Sequence, residues 1–430
     1  MVETAVAQNK TSAPRVETTA GTIEGVNNSG VYEYKGVPYA KPPVRRLRWR
    51  PPQPLESWSG VRSTKNFGPR CIQRNLFEEM VFRSYGMSED CLYLNVWSPT
   101  NQEGAGLPVL VYFYGGELLA GDGSEPRYDG ENMARTKGIV TLTVNYRLSV
   151  FGFFAHPELS AESPHNASGN YGLLDQAAAL RWVRQNISQF GGDPNRITIA
   201  GESAGSMSVS AHMASPLSRD LIAGAIGESG SIMGTFSTIS LEQAERKGVN
   251  FQKVVGADSV GQLRDMSFEK LIKVMNNPQI DNFSVAVDGY FLPKRPVEIY
   301  DAGEQADVPL LLGWNSQEMS YQALLVGQEP TPENYKELIK NLYPFNTERV
   351  LELYPGNTRE QVIQSAEDLT TDRFIRFSTW KWGDIHAETS GSPVYRYYYT
   401  HSRPPKVTTD ESSSSSSSSS GAEYLRRLNT

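Results

Sequence analysis

Apolar segments typical of strands buried on both faces recur along this 430-residue chain, and they constrain its fold more than any other feature. Residues 107–116 (LPVLVYFYGG) form a continuous apolar run that ends in two glycines. Residues 138–147 (GIVTLTVNYR) form a second run of the same kind. Such runs are typical of strands inside a parallel sheet, because helices cover both faces of that kind of sheet.

Segments with helical periodicity separate these strand-like runs. Between residues 170 and 190 the apolar side chains recur at steps of three and four, which predicts an amphipathic helix. A short β-rich pentamer at 196–200 follows it. Further strand candidates are 222–229, 308–314 and 392–400, and helix-like segments are 241–255, 333–342, 359–366 and 376–389. This alternation predicts an α/β fold with a large, mostly parallel central sheet covered by helices on both faces.

The composition of the ends suggests where the folded domain begins and ends. We expect residues 1–15 to form a flexible N-terminal segment and residues 16–405 to form a single α/β domain with helical insertions. Residues 16–60 are rich in Gly, Pro and β-formers and predict short strands and hairpins at one edge. Residues 406–430 form a low-complexity, altered tail in which nine serines follow one another. A polyserine tract cannot bury apolar area, so it is expected to be disordered.

Charge and composition exclude several classes of protein. Lys and Arg total 41 against 48 Asp and Glu, so the net charge is −7 and dispersed. Nucleic-acid binding is not expected, because binders of nucleic acid cluster basic residues. No apolar run reaches about 18 residues, so no membrane span is expected. No HExxH, Walker A or Rossmann motif occurs, and we expect neither a metal site nor a cofactor. The oligomeric state is not predicted.

The chemistry centres on Ser203. The sequence GESAG at 201–205 matches the G-x-S-x-G nucleophile elbow, and a strand-like pentamer precedes it while a helix-like segment follows it. In such a turn the serine oxygen stands at the carboxyl end of a strand, beside the helix N-terminus, where negative charge is favoured. The alternative is an ordinary strand-to-helix turn with a capping serine.

A glycine-containing turn upstream predicts an oxyanion hole. Tyr114, Gly115, Gly116 and Glu117 follow a buried strand. Backbone N–H groups of Gly116, Glu117 and Ala204 are expected to point at the oxygen of a tetrahedral intermediate. The alternative is a turn that simply ends a strand.

Two cysteines, Cys71 and Cys91, are the only ones in the chain. Their spacing alone leaves open a disulfide, which would indicate an oxidising compartment, or two unrelated buried thiols. Residues 1–20 lack the basic start and apolar core of a signal peptide.

Long sequence blocks identify a family. SEDCLYLNVWSP, NYRLSVFGFF (145–154), residues 169–205 and LLLGWNSQE (310–318) resemble the type-B carboxylesterase (cholinesterase-like) family of α/β-hydrolases, over about residues 17–405. The resemblance implies the α/β-hydrolase fold and action on small-molecule esters. It also implies a Cys71–Cys91 disulfide and a secreted or periplasmic protein whose signal peptide is absent from this chain.

The same resemblance implies further site residues and departures from the family pattern. Glu318 stands where the acidic member of the catalytic triad is expected, and Glu202 is expected to tune the histidine. Glu117 replaces the Gly or Ala usual in the oxyanion turn. Of the histidines after Glu318, His386 lies in a helix-like segment and is expected to be a packing or solvated residue, and His401 resembles one that is not the base. The position of the family's base falls in the polyserine region.

Two functions are therefore weighed. The first is a serine hydrolase, a carboxylesterase that cleaves carboxylic esters through an acyl-enzyme intermediate on Ser203. The second is a catalytically impaired or non-catalytic binding or adhesion protein on the same fold, which the missing triad histidine favours. Pocket-lining aromatic candidates are Trp314, Phe377, Trp380 and Trp382, and the alternative for each of them is a place in the core.

Overall fold

A computed structural model describes residues 13–234 and 238–401 of the chain. Sixteen strands lie within these ranges. They are β1 (Arg15–Thr18), β2 (Gly21–Glu24), β3 (Val26–Asn28), β4 (Val31–Pro38), β5 (Val61–Ser63), β6 (Arg70–Cys71), β7 (Met87–Ser88), β8 (Tyr93–Ser98), β9 (Leu107–Phe113), β10 (Val140–Val144), β11 (Gly192–Glu202), β12 (Gly224–Glu228), β13 (Thr238–Ser240), β14 (Val285–Val287), β15 (Leu310–Asn315) and β16 (Val394–Tyr399).

Fourteen α-helices lie in the same described ranges. They are α1 (Glu131–Lys137), α2 (Ser149–Phe153), α3 (Pro157–Glu162), α4 (Tyr171–Asn186), α5 (Ala204–Ala214), α6 (Leu241–Val255), α7 (Val260–Asp265), α8 (Phe268–Val274), α9 (Pro296–Asp301), α10 (Tyr321–Leu325), α11 (Pro332–Leu342), α12 (Thr347–Leu353), α13 (Arg359–Thr371) and α14 (Phe377–Thr389). One π-helical turn, Asp372–Arg376, joins α13 to α14.

A nine-stranded sheet forms the centre of the molecule, in the order β16-β15-β12-β11-β9-β10-β8-β4-β3. The strands from β16 to β10 are parallel to their neighbours. The remaining three, β8, β4 and β3, pair antiparallel. The predicted large, mostly parallel sheet is therefore confirmed, and its antiparallel edge is built from β8 together with β3 and β4 of the predicted edge segment at 16–60.

Helices cover the sheet because its strands are apolar on both faces. All five residues of β10 are buried, as the run at 138–147 predicts. Helix α5 packs on β11 and β12, and a Cβ atom on Gly227 would lie 2.2 Å from the ring of Trp382 and 2.8 Å from Ser206 Oγ. Helices α5 and α14 therefore share one face. Trp97 packs with Ala134 of α1 in a separate cluster on the other face.

The predicted helices and strands after residue 200 are present with shifts of a few residues at their ends. The largest difference is α13, which continues to Thr371 although the periodicity predicts an end near residue 366. Its last residues, Leu369, Thr370 and Thr371, are buried, so tertiary packing extends the helix beyond the segment that its own pattern indicates.

The two cysteines form a disulfide between Cys71 and Cys91. This confirms the pairing that the family resemblance implies and removes the alternative of two free thiols. Among the residues that the structure describes, none of the helices combines the length and the apolar composition needed to cross a bilayer. The expected polyserine tail at 406–430 and most of the expected N-terminal segment at 1–15 lie outside the described residues.

Candidate active site

Ser203 occupies the turn between the end of β11 and the start of α5. Its backbone has φ 54° and ψ −119°, a region that residues with a side chain rarely occupy. The strained turn exposes the serine at the carboxyl edge of the parallel strands and places it directly before the helix N-terminus. This is the strand–turn–helix arrangement that the GESAG motif predicts.

The two glycines of the motif make the turn possible. A Cβ atom on Gly205 would lie 2.0 Å from the carbonyl oxygen of Phe113, and one on Gly201 would lie 2.5 Å from the carbonyl carbon of Gly205. Any larger residue would push α5 away from the sheet. The close approach of strand and helix therefore requires glycine at both positions.

Neighbouring strands fix the backbone of Ser203. Its N–H donates to the carbonyl oxygen of Glu228, at the end of β12, at 2.9 Å. Its own carbonyl accepts the N–H of Met207 at 2.9 Å. Gly230 lies so close that a Cβ atom there would be 2.8 Å from the Ser203 carbonyl oxygen. The serine is thus held by the sheet and by the loop after β12, which limits its movement.

The predicted oxyanion turn lies against the serine. A Cβ atom on Gly115 would be 3.1 Å from the Ser203 Cβ atom. Gly116, Glu117 and Leu118 all have positive φ, at 106°, 58° and 60°. Glu117 and Ala204 line the same cavity as Ser203. The chain therefore brings two of the expected oxyanion-hole residues, Glu117 and Ala204, to the Ser203 cavity, and Gly116 directly precedes Glu117 without lining that cavity.

A cavity of about 500 Å³ opens in front of Ser203. Its walls are mostly apolar and aromatic, with side chains such as Leu118, Phe283 and Phe377. Of the four aromatic candidates, Phe377 lines the cavity and the three tryptophans do not; Trp382 is fully buried in the main core, which is the alternative given for it. Trp382 faces the sheet at Gly227, because α14 turns that side of the helix inward.

Glu318 lies on the loop after β15, two strands along the sheet from Ser203. Its Oε1 accepts the hydroxyl of Ser229 at 2.6 Å and the N–H of Asn315 at 2.8 Å. Its Oε2 accepts from Asn315 Nδ2 at 3.2 Å. Its own N–H donates to Thr371 Oγ1 at 3.3 Å. These bonds fix the carboxylate and leave Oε2 with room for another donor.

Ser229 is a site residue that the sequence reasoning missed. It follows β12, the strand between β11 and β15, and has a positive φ of 54°. Its N–H donates to the carbonyl of Gly313 at 2.8 Å. The sequence does contain a signal for this residue, because the same Glu-Ser pair stands at the end of two neighbouring strands. Glu202-Ser203 stands at the end of β11, and Glu228-Ser229 stands at the end of β12.

Glu202 lies beside the oxyanion turn. A Cβ atom on Gly115 would be 2.8 Å from its Oε2. Desolvation raises the pKa of Glu202 to about 7, although part of the side chain is exposed, and the negative charges of Glu318 and Glu228 add to that rise. Arg127 opposes the shift. Glu202 is therefore poised to hold a proton near neutral pH, which the sequence alone does not show.

Glu228 completes a group of three carboxyls. It is the direct neighbour of Glu202 in the register of β11 and β12, and burial raises its pKa. Glu202, Glu228 and Glu318 together place three carboxyl groups at one edge of the sheet. A cationic group next to Ser203, such as a protonated imidazole, would favour the ionised forms of Glu202 and Glu228.

All five histidines of the sequence lie within the described residues, and none of them lines the Ser203 cavity. His212 is buried between Gln176 and Ser218, and burial lowers its pKa to about 3. His386 is buried and bonds to the carbonyl of Val308 at 3.0 Å, as expected for a packing residue. His401 is exposed at the end of β16. Within residues 13–234 and 238–401, no histidine lines the Ser203 cavity.

Among the residues that the structure describes, no group of three or more His, Cys, Asp or Glu side chains is arranged to hold a metal ion. The carboxyls near Ser203 are instead bonded to hydroxyl and amide donors or are raised in pKa.

Known proteins share this architecture and sequence. Residues 12–425 match the carboxylesterase family as a whole. The para-nitrobenzyl esterase of Bacillus subtilis is 35% identical over 401 residues, which cover 89% of this chain and 77% of that protein. The fumonisin B1 esterase of Sphingopyxis macrogoltabida is 42% identical over 309 residues, or 70% of this chain. That match spans only 55% of the length of the fumonisin B1 esterase.

A solved structure supports the fold assignment. A carboxylesterase of Geobacillus stearothermophilus superposes with a TM-score of 0.78 at 34% identity, covering 91% of this chain and 81% of the other. The α/β-hydrolase fold is therefore confirmed, and the relatives carry the names of ester hydrolases, the enzyme class that the sequence predicts. The chain belongs to the carboxylesterase family of α/β-hydrolases.

Proposed function

We propose that this protein hydrolyses small-molecule carboxylic esters through an acyl-enzyme intermediate on Ser203. The observation that carries the proposal is the strained backbone of Ser203, at φ 54°, which presents the hydroxyl to a cavity of about 500 Å³ beside Glu117 and Ala204. Strain of this kind persists only where the surrounding structure enforces it, and it is concentrated at reactive sites.

In the first half of the reaction, Ser203 Oγ bonds to the ester carbonyl carbon and gives its proton to a base. The carbonyl π electrons move to oxygen, and the N–H groups of Gly116, Glu117 and Ala204 stabilise that oxyanion. Collapse of the intermediate breaks the bond to the alcohol oxygen, which takes the proton. Water then attacks the acyl carbon, and the acid leaves Ser203 Oγ, which regains a proton.

The base is the part of the proposal that the described residues do not supply. Glu318, held by Ser229 and Asn315, would orient an imidazole and stabilise its charged form. All five histidines of the 430-residue sequence lie in the described ranges and none lines the cavity, so we propose that an imidazole from outside these 430 residues completes the site. Without one, acylation of Ser203 would be several orders of magnitude slower.

The walls of the cavity suggest the class of ester. Leu118, Phe283 and Phe377 offer apolar and aromatic surface, while Ser203 and the oxyanion turn form the polar end. A ligand pocket of this kind favours an apolar acyl or alcohol group with one ester carbonyl. We therefore propose small apolar esters as substrates.

A second function, ligand binding without turnover, is favoured by the absence of a histidine from the cavity within the described residues. The two functions differ in whether Ser203 becomes acylated. In the binding-only case, the same cavity holds an ester that is released unchanged.

The test is covalent labelling of Ser203 with a fluorophosphonate, read by intact mass and peptide mapping. We expect one adduct on Ser203, none in Ser203→Ala, and an unchanged adduct in Ser284→Ala, a control that also lines the cavity. A burst of p-nitrophenol from p-nitrophenyl butyrate would accompany turnover. Absence of any adduct while the ester still binds would establish the binding-only function instead.

We also propose an oxidising compartment for the protein, such as the periplasm or the extracellular space. The Cys71–Cys91 disulfide supports this proposal, because such bonds persist where thiols are not kept reduced.

A further inference from the structure

The segment between β4 and β5 holds an arginine in a backbone conformation that arginine rarely adopts. Arg45 has a φ of 55°, in the left-handed region that glycine occupies without cost and asparagine at low cost. Its side chain is exposed, so packing does not explain a long side chain at this position. An observed backbone outlier is a physical reason to look for a function there.

Arg45 lies on the wall of a cleft of about 930 Å³, far larger than a single water site. Residues 44–50 form one side, and α7 with the residue after it forms the other. Five arginines line the cleft: Arg45, Arg46, Arg48, Arg50 and Arg264. The cleft shares no lining residue with the Ser203 cavity, so it is a separate concave site of a size that suits a small molecule.

Three of the five arginines already have partners. Arg48 bonds to both carboxylate oxygens of Glu89 and donates to the carbonyl oxygen of Met266 at 2.7 Å. Arg264 pairs with Glu162 at 2.8 Å, and Arg50 reaches the same carboxylate at 3.1 Å. These bonds tie the guanidinium groups of all three arginines to other groups of the protein.

Within the part of the chain that the structure describes, Arg45 and Arg46 differ from the other three arginines of the cleft in having no partner for their side chains. In the described ranges, neither guanidinium takes part in an ion pair or a side-chain hydrogen bond, and both side chains are exposed. Counting the cleft charges gives five arginines against Glu89, Glu162 and Asp265, or 5 − 3 = +2. The whole chain carries −7. A positive concave site on an acidic protein is a local feature and not a consequence of overall charge.

We propose that this cleft binds a soluble anion that carries two or more oxyanion groups, with Arg45 and Arg46 as its ligands. A guanidinium presents a planar fork of N–H donors that matches carboxylate, sulfate and phosphate oxygens. Two unpartnered guanidinium groups on consecutive residues favour a ligand with more than one such group. In this proposal, Arg45 keeps its unfavourable left-handed backbone because that backbone places the Arg45 guanidinium where it can bind the anion.

The test is calorimetric titration of the intact protein with inorganic pyrophosphate and with citrate at low ionic strength. Arg45→Gly removes the guanidinium and relieves the backbone, so this variant is expected to fold at least as well as the parent. Its matched control is Ser29→Gly, which relieves the backbone strain of another exposed residue, at φ 50°, without changing the charge of the protein. Arg45→Lys keeps the charge but loses the fork, and Arg46→Gln removes the second guanidinium.

We expect Arg45→Gly and Arg46→Gln each to weaken binding about fivefold. Ser29→Gly should leave binding unchanged, and Arg45→Lys should lose part of it. Salt should weaken binding in the parent, because charges at the surface are screened. Equal affinity in all variants would overturn the proposal. Binding only to phosphatidylglycerol vesicles, with none to pyrophosphate or citrate, would overturn it as well. Labelling of Ser203 is read separately, so a failed esterase proposal leaves this result interpretable.

Discussion

The hydroxyl of Ser229 donates to Oε1 of Glu318 at 2.6 Å, across the top of strands β12 and β15. The bond joins two loops that are 89 residues apart in the chain. A hydrogen bond to an ionised carboxylate is about twice as strong as one between neutral groups. Ser229 therefore fixes the carboxylate that we propose as the acidic member of the triad.

Ser229→Ala tests that relationship. The substitution removes one of three donors to Glu318, and a hydrogen bond to a charged group contributes about 1.5–3 kcal/mol. We expect the rate constant for fluorophosphonate labelling of Ser203 to fall about tenfold, because Glu318 is less well positioned. Ser378→Ala is the control, since Ser378 lines the same cavity but bonds to the carbonyl of Ile375. An equal loss in both variants would indicate a general effect of the cavity serines.

Glu202→Gln tests the raised pKa of Glu202. In the folded protein this pKa is about 7, above the value of 4.5 for an unperturbed glutamate. Because the pKa of the Glu202 carboxyl is higher in the folded than in the unfolded protein, the folded protein binds more protons. The resulting destabilisation of the folded state is absent at low pH and grows as the pH rises from about 4.5 to 7. The glutamine variant should therefore gain stability over the parent across that range.

The expected gain at pH 8 is about 1 kcal/mol, after allowing for the exposed part of the Glu202 side chain. Urea unfolding at pH 5 and pH 8 measures it, and we expect a small gain at pH 5 and the full gain at pH 8. Glu79→Gln, at an exposed position, is the control. A gain at pH 5 as large as that at pH 8 would rule out ionisation of Glu202 as the cause.

Local patterns predicted the parts of this site that depend on neighbouring residues in the sequence. The GESAG turn needs glycine at 201 and 205 because strand and helix nearly touch, and that requirement is visible in five letters. The buried strands at 107–116 and 138–147 were visible for a similar reason. All five residues of β10 are buried, as that pattern predicts, whereas β9 alternates buried and half-buried residues, so only one of its faces is fully covered.

Features that depend on strand order were not predictable from spacing. Ser229 acts on Glu318 only because β12 lies between β11 and β15 in the sheet. The pKa of Glu202 depends on Glu228 and Glu318, which come from two other strands. Trp380 and Trp382 are two residues apart, yet one is 43% exposed and the other is fully buried, because α14 presents opposite sides to solvent and to Gly227.

The disulfide provides a test of the proposed compartment. Protein purified from its native source without reductant should show no titratable thiol, and reduction should release two. The bridge closes a loop with a sequence separation of 20 residues, which corresponds to about 3 kcal/mol in the chain-entropy treatment. The double variant Cys71→Ser/Cys91→Ser should lose about that amount in urea unfolding. Two free thiols in the native protein would contradict an oxidising compartment.

The strain at Ser203 is measurable as a gain in stability when glycine replaces it. At φ 54° and ψ −119° a residue with a Cβ atom costs about 1–3 kcal/mol, whereas glycine adopts this region freely. Glycine also gives the unfolded chain more backbone freedom, which lowers the free energy of unfolding by about 0.5–1 kcal/mol and so offsets part of this gain.

We therefore expect Ser203→Gly to be about 1 kcal/mol more stable than Ser203→Ala, which keeps the Cβ atom and hence the strain. Neither variant can be labelled at position 203, so the stability difference isolates the backbone from the chemistry. Urea unfolding of both variants at one pH gives the comparison. If Ser203→Gly is the less stable of the two, the turn stores no strain, and the observation that carries the proposed function is lost.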